Sequence, residues 1–298
     1  MRGYHKLKVT LNYHFLNKPV ITITLFESSI KPMLLYGSDF WGCLKMPNVN
    51  PIESVQNKFL KDLLGVQKQT TNIGVLLELG KLPLVTHAQT ASVKNWERIV
   101  AGKANELLLN SHTRATIFSL PWIETIKERL RSNGMYENFL DQQRQQGTHK
   151  HFYKRLSDIY HQNAFTTINH ESSKLGTYAL LKTKPGISGY ITEVSSTKDR
   201  IAISKLRLSN HKLNIETGRF YNLDETRRFC PFCESQVENE IHFIISCPTY
   251  RVLRFFELLS DKEKFIYILA EPNAVIGSYV YKTMELREFL VNAYRQKN

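Results

Sequence analysis

Apolar residues between Asn50 and Gly65 return at helical intervals. Ile52, Val55, Phe59 and Leu63 stand at i, i+3, i+7 and i+11, one stripe of a helix. Asn50 suits the N-cap, Pro51 the first turn and Gly65 the C-terminal exit, so the pattern predicts a helix between them. A second helix fits Asn72–Leu79, closed by Gly80 and Pro83. A third fits Val85–Val100, with Ala88, Ala91 and Ile99 on one side and Trp96 at the seam.

Beyond residue 111 the periodicity weakens. Helices are expected near Trp122–Ser132 and Phe152–Phe165, where Phe152, Leu156, Ile159 and Tyr160 recur at helical spacing. Gln142–Gly147 is polar and reads as a loop, Lys182–Gly189 carries a Pro-Gly break, and Glu193–Lys198 is the best candidate for a linker. From Asp199 to Leu213 a helix is expected with two unlike sides. Ala202, Ile203, Leu206 and Leu213 fall on one; Arg200, Ser204, Arg207 and His211 fall on the other, with Lys205 and Lys212 further round. Tyr250–Leu259 and Lys282–Arg295 again read as helical. The pattern therefore predicts a mainly α-helical chain in three parts: 1–110, a helical connector at 111–195, and 196–298.

Composition narrows the class. An apolar share of 42% against 22% charged residues is that of a globular protein, which excludes wholesale disorder. No apolar run approaches the roughly 18 residues of a membrane span, so no membrane partner is expected. The stretch before Glu27, the first acidic residue, is basic. Its Leu7–Val9–Leu11 and Val20–Ile21–Ile23 runs, broken by Asn17-Lys18-Pro19, read as ordinary structure rather than a transit peptide. An intracellular location, nuclear or cytoplasmic, follows as the expectation. Forty Lys+Arg against 27 Asp+Glu give a net +13, which favours a polyanionic partner, nucleic acid first among them.

Four cysteines are too few for a secreted disulfide scaffold of this length, and three fall close together. Cys230-x2-Cys233-x8-His242-x4-Cys247 has the spacing of a zinc knuckle. Three thiolates and one neutral imidazole saturate tetrahedral zinc and leave no position for an activated water, so one structural Zn²⁺ is expected. Between the outer cysteines lie Glu234, Glu238 and Glu240 and no Lys or Arg, an unfavourable surface for phosphate. The residues expected to touch nucleic acid are those before the knuckle: Arg200, Lys205, Arg207, His211, Lys212, Arg219, Arg227 and Arg228.

Searches for catalytic signatures return nothing: no GxxxxGK[ST] loop, no GxGxxG turn, no GxSxG elbow, and no two adjacent aspartates. His87, His151 and His170 lack catalytic partners by spacing. No catalytic residue is assigned.

Several segments, in order, carry a family resemblance. Leu25 to Gly42 reads LFESSIKPMLLYGSDFWG, followed by Pro51-Ile52-Glu53, Leu63-Leu64-Gly65-Val66 and Glu78 to Leu84, ELGKLPL. Further on come Lys205 to Leu213, KLRLSNHKL, then Gly218-Arg219, Cys230-Pro-Phe-Cys233, Glu240-Ile-His242-Phe and Cys247-Pro248. The chain resembles, from about residue 20 to its end, the part of non-LTR (LINE-type) retrotransposon reverse transcriptases that follows the polymerase palm. The resemblance implies a thumb-like helical region at 1–110 that would flank the primer–template duplex, and a C-terminal CCHC zinc-knuckle domain that would help bind template RNA or target DNA. Neither the upstream endonuclease nor the YxDD-like palm signature of such polyproteins is present in the sequence. The expectation is a non-enzymatic, nucleic-acid-binding remnant; the alternative is a zinc-stabilised protein-interaction module of a retroelement-derived host protein.

Overall fold

The computed structural model describes residues 2–11, 14–44, 50–141, 147–170, 174–254 and 261–297. The fold is mainly α, and among the described residues there is no sheet, only the isolated antiparallel bridges Leu79–Ile187 and Phe229–Val237. No helix among them is long and apolar enough to cross a membrane. Two compact units divide the chain, and neither is continuous in sequence: Met1–Leu7, Thr24–Asn57 and Leu82–Ala164 form the first, and Lys8–Ile23, Lys58–Lys81 and Phe165–Asn298 the second. The Asn50–Leu64 helix contributes to both units.

In the first unit the Leu84–Val100 helix is central. Ser38–Trp41 lies against it so closely that a Cβ on Gly42 would stand 2.0 Å from the Ala88 carbonyl oxygen, which leaves room only for glycine. Ser92 bridges the two segments, donating to the Ser38 carbonyl (2.8 Å) and accepting from the Cys43 amide (3.1 Å). Val93 and Trp96 join Ile123, Ile126, Leu130 and Phe152 in one buried cluster. Leu130 and its neighbours come from Pro121–Ser132, whose proline sits in the first turn, where its missing N–H costs nothing. The Thr148–Ile168 helix spans the expected Phe152–Phe165 segment and presents Phe152 to this cluster. Of the expected Gln142–Gly147 loop, only Gly147 lies within the described residues.

In the second unit the Thr197–Arg207 helix packs on the Ala274–Lys297 helix, and Gly277 permits the approach: a Cβ there would meet the Asp199 Cβ at 3.0 Å. The core adds Phe243, Phe265, Ile268, Leu269, Tyr279 and Val280. Two expectations are corrected here. Glu193–Lys198 is not a linker: Tyr190–Glu193 is a helical turn, Val194 is fully buried, and the Ser196 side chain caps the next helix. That helix ends at Arg207 rather than Leu213, because Ser209 takes a left-handed φ of 48° that an α-helix cannot continue through. Of the expected Tyr250–Leu259 helix, the described part is a 3-10 turn over Pro248–Leu253; residues 255–259 lie outside the described set.

Candidate metal centre

A short antiparallel pairing builds the first half of the site. The Phe229–Val237 bridge is flanked by the Cys230 amide donating to the Gln236 carbonyl (2.8 Å) and the Glu238 amide donating to Arg228 (2.9 Å). Between these strands the chain turns tightly over Cys230-Pro-Phe-Cys233, and the Glu234 amide closes the turn on the Cys230 carbonyl at 3.0 Å. Glu234 takes a φ of 54°, a backbone shape that favours glycine. The second half is one wide turn, His242–Ser246, closed by the Cys247 amide on the His242 carbonyl (2.8 Å); Pro248 then starts the 3-10 turn.

These two turns bring all four expected ligands together. The donor atoms of Cys230, Cys233, His242 and Cys247 lie within 4.8 Å of one another, with Cys230, His242 and Cys247 buried and Cys233 half-buried. Cys230 Sγ stands 3.8 Å from Cys247 Sγ. Bonds of about 2.3 Å to a tetrahedral ion require an S–S edge of about 3.8 Å, so this edge has the span of a tetrahedral metal site. Cys233 Sγ lies 3.4 Å from His242 Nε2. The other ring nitrogen, Nδ1, lies 2.9 Å from the Gln236 side-chain oxygen, which holds its proton and turns the Nε2 lone pair into the shell.

Every sulfur is also supplied with donors. The amides of Phe232 and Cys233 serve Cys230, the amide and hydroxyl of Ser235 serve Cys233, and the amide and hydroxyl of Thr249 serve Cys247. The hydrogen bond between the Cys230 and Cys247 sulfurs holds Cys247 well below the ordinary thiol range and pushes Cys230 up. Burial raises Cys233, but the Ser235 donors outweigh it and leave the thiol lowered. Burial lowers His242, but its hydrogen bond to Cys247 and the neighbouring sulfur charge outweigh that and raise it. Donors converge on all three sulfurs, the setting in which thiolates can hold a metal cation.

The acidic character expected of the knuckle surface is corrected by burial. Glu238 is fully buried and accepts from Arg287 Nε and Nη2, both at 2.7 Å, and from the Asn214 amide at 2.7 Å. Glu240 is buried against His211 Nε2 (2.9 Å) and the Ser209 hydroxyl (3.1 Å). Only Glu234 of the three is exposed. These internal pairs tie the knuckle to the Ala274–Lys297 helix and to the chain at 209–214.

The eight residues expected to face nucleic acid do not form one surface. Arg207 is buried in an ion pair with Glu78 (2.6 Å), and Tyr178 and Ser188 each donate to the same carboxylate at 2.9 Å. Burial alone would raise Glu78, but Arg207 outweighs it and holds the carboxyl below its ordinary range. Arg200 is buried, donating to the carbonyls of Val194 and Leu16. His211 is buried on Glu240, and Arg228 is spent on the carbonyls of Ile215 (2.7 Å) and Leu223 (2.7 Å). Lys205 is half-buried. Lys212, Arg219 and Arg227 are exposed; Lys212 pairs with Glu288 (3.3 Å) and Arg219 lies 3.6 Å from Glu216. The physical reason is reach: a buried guanidinium has five donors and satisfies carbonyls that a closing fold would otherwise orphan.

Sequence reasoning missed Gln236, Ser235 and Thr249. The signal for two of them was present, since a hydroxyl residue stands two positions after Cys233 and after Cys247. Comparison with protein-family models, curated proteins and solved structures finds no match for this chain.

Proposed function

We propose that the protein binds nucleic acid and that a single structural zinc ion pins its C-terminal unit, as a remnant of a non-LTR retrotransposon reverse transcriptase without the polymerase's own chemistry. One observation carries the zinc part. Four converging ligands, with every sulfur hydrogen-bonded and the imidazole oriented by Gln236, fill a tetrahedral shell and leave no open position. Three soft thiolates and one imidazole favour zinc over the hard cations, which take oxygen. When bound, the ion would supply countercharge and a cross-link, while Cys230 and Cys247 anchor it in the core that contains Phe243 and Tyr250.

The nucleic-acid part rests on the net +13 and on the ordered motifs that resemble those of retrotransposon proteins. Its test is fluorescence anisotropy of the zinc-loaded full chain with a labelled single-stranded RNA at several salt concentrations. Micromolar or tighter binding that weakens steeply with salt is expected, because phosphate contacts release counterions. Absence of binding at low salt would overturn the reading.

A specific observation favours a second reading, a protein-interaction module. Phe220 (85% exposed), Tyr221 (77%) and Phe229 (47%) stand out on the segment leading into the knuckle. The exposed charges around them, Arg219 and Arg227 against Asp224 and Glu225, balance. Such a surface suits apolar docking, whose affinity would be nearly independent of salt.

A further inference from the structure

The basic residues that remain outward gather elsewhere, in the first unit. On the Thr148–Ile168 helix, Lys150, His151, Lys154 and Arg155 are all exposed. At 100° per residue they span an arc of about 140°, on the side away from buried Phe152 and half-buried Leu156 and Ile159. One acid, exposed Asp158, shares that arc. The helix start is fixed by Glu97 of the Leu84–Val100 helix, whose carboxylate accepts from the amides of Gly147 (2.6 Å) and His149 (3.0 Å) and from the His149 ring (2.7 Å). Burial raises Glu97, but those donors outweigh it and keep it lowered, so the anchoring charge persists at neutral pH.

Glu97 also brings a second basic pair to the junction. Lys94 and Arg98 stand one turn apart on the same helix, both exposed, and within about 100° of the direction Glu97 takes towards the capped helix. Five exposed cations, Lys94, Arg98, Lys150, Lys154 and Arg155, therefore lie on the two helices that meet at this junction, where Asp158 is the exposed acid of the arc and Glu97 is buried in the helix cap. Among the described residues none of the five takes part in an ion pair, in contrast to Arg207, Lys212 and Arg219.

We propose that this junction, centred on Lys150, Lys154 and Arg155, is the surface that grips the sugar–phosphate backbone of a nucleic acid strand. The inference rests on the nucleic-acid reading above and moves its contact surface from the 200–228 segment to the first unit. Charge complementarity selects the occupant: a basic face whose five cations make no ion pair among the described residues suits a polyanion and not an apolar partner. It contacts phosphates, so it positions a strand without reading its sequence.

The test compares four zinc-loaded proteins on one labelled single-stranded RNA across a salt series. They are the unaltered chain, the triple variant Lys150→Gln, Lys154→Gln and Arg155→Gln, the double variant Arg219→Gln and Arg227→Gln, and a charge-retaining triple variant. Losing three phosphate contacts should lower the salt slope by about 2 and weaken binding about 100-fold near 0.1 M salt. The charge-retaining variant Lys150→Arg, Lys154→Arg and Arg155→Lys should keep the affinity, and circular dichroism should match throughout because all three side chains are exposed. Unchanged binding by the triple variant, with loss in the double variant, overturns the inference and leaves the nucleic-acid reading standing. No binding by the unaltered chain overturns both.

Discussion

Two helices with similar numbers of cations handle them in opposite ways. Thr197–Arg207 carries Lys198, Arg200, Lys205 and Arg207, and the first two turns of Thr148–Ile168 carry Lys150, Lys154 and Arg155. In the former, Arg200 and Arg207 are 5% and 1% exposed and bind carbonyls and Glu78. In the latter, all three cations face outward. The difference lies in how many sides of each helix are covered. Ala202, Ser204 and Arg207 show that Thr197–Arg207 is enclosed on both of its faces, whereas the first turns of Thr148–Ile168 bury only the side that bears Thr148 and Phe152. A cation on an enclosed helix becomes part of the core's wiring; a cation on a half-covered helix stays available to a partner.

The metal centre should give the largest effect within the enclosed unit. Cys247→Ser removes a fully buried thiol of the proposed metal site. Metal content should fall well below one zinc per chain, and the thermal midpoint of the second unit should drop by more than about 10 °C, since structural zinc contributes many kcal/mol. Stripping the unaltered protein with a strong chelator should reproduce that drop. A midpoint unmoved by both treatments would show that the core around Phe243 and Phe265 holds without the ion.

Next in size is Arg207→Ala, which strands the buried carboxylate of Glu78. Breaking one side of such a pair costs about 3–5 kcal/mol, against at most about 0.5 kcal/mol for Lys154→Ala on the open helix. Urea unfolding of the two variants measures the contrast directly. Equal effects would mean that enclosure does not decide what these cations do.

The same contrast explains what could be read from residue order. Helices at 50–64, 72–78, 84–100 and 121–132 were legible because each has an apolar stripe and recognisable ends such as Pro51, Gly65 and Pro121. The clustering of Cys230, Cys233, His242 and Cys247 was legible because metal-site chemistry fixes such a spacing. Which side of 199–213 would be wet was not, since both sides are buried and the partner that claims Arg207, Glu78, lies 129 residues away in sequence. A helical wheel assumes one dry face, and long-range ion pairs break that assumption. The knuckle acids failed for the same reason: Glu238 is answered by Arg287, 49 residues later. Short-range rules found the shell but not the second layer of Gln236 and the ion pairs around it.

A smaller effect, and of opposite sign, isolates the backbone of the knuckle. Glu234 holds a φ of 54° with its side chain exposed and its amide on the Cys230 carbonyl. A side chain in that left-handed region costs about 1–2 kcal/mol, and glycine removes the cost while adding up to about 1 kcal/mol of chain entropy to the unfolded state. Glu234→Gly should therefore stabilise the zinc-loaded protein by about 0.5–1 kcal/mol, a rise of about 1–3 °C in midpoint. The substitution also deletes a negative charge close to three thiolates, which alone would favour the fold. Glu234→Ala separates the two causes, since it removes the charge but keeps the Cβ that the turn disfavours. A gain confined to glycine assigns the effect to backbone strain; an equal gain in both variants assigns it to charge, and the turn would then cost this chain nothing.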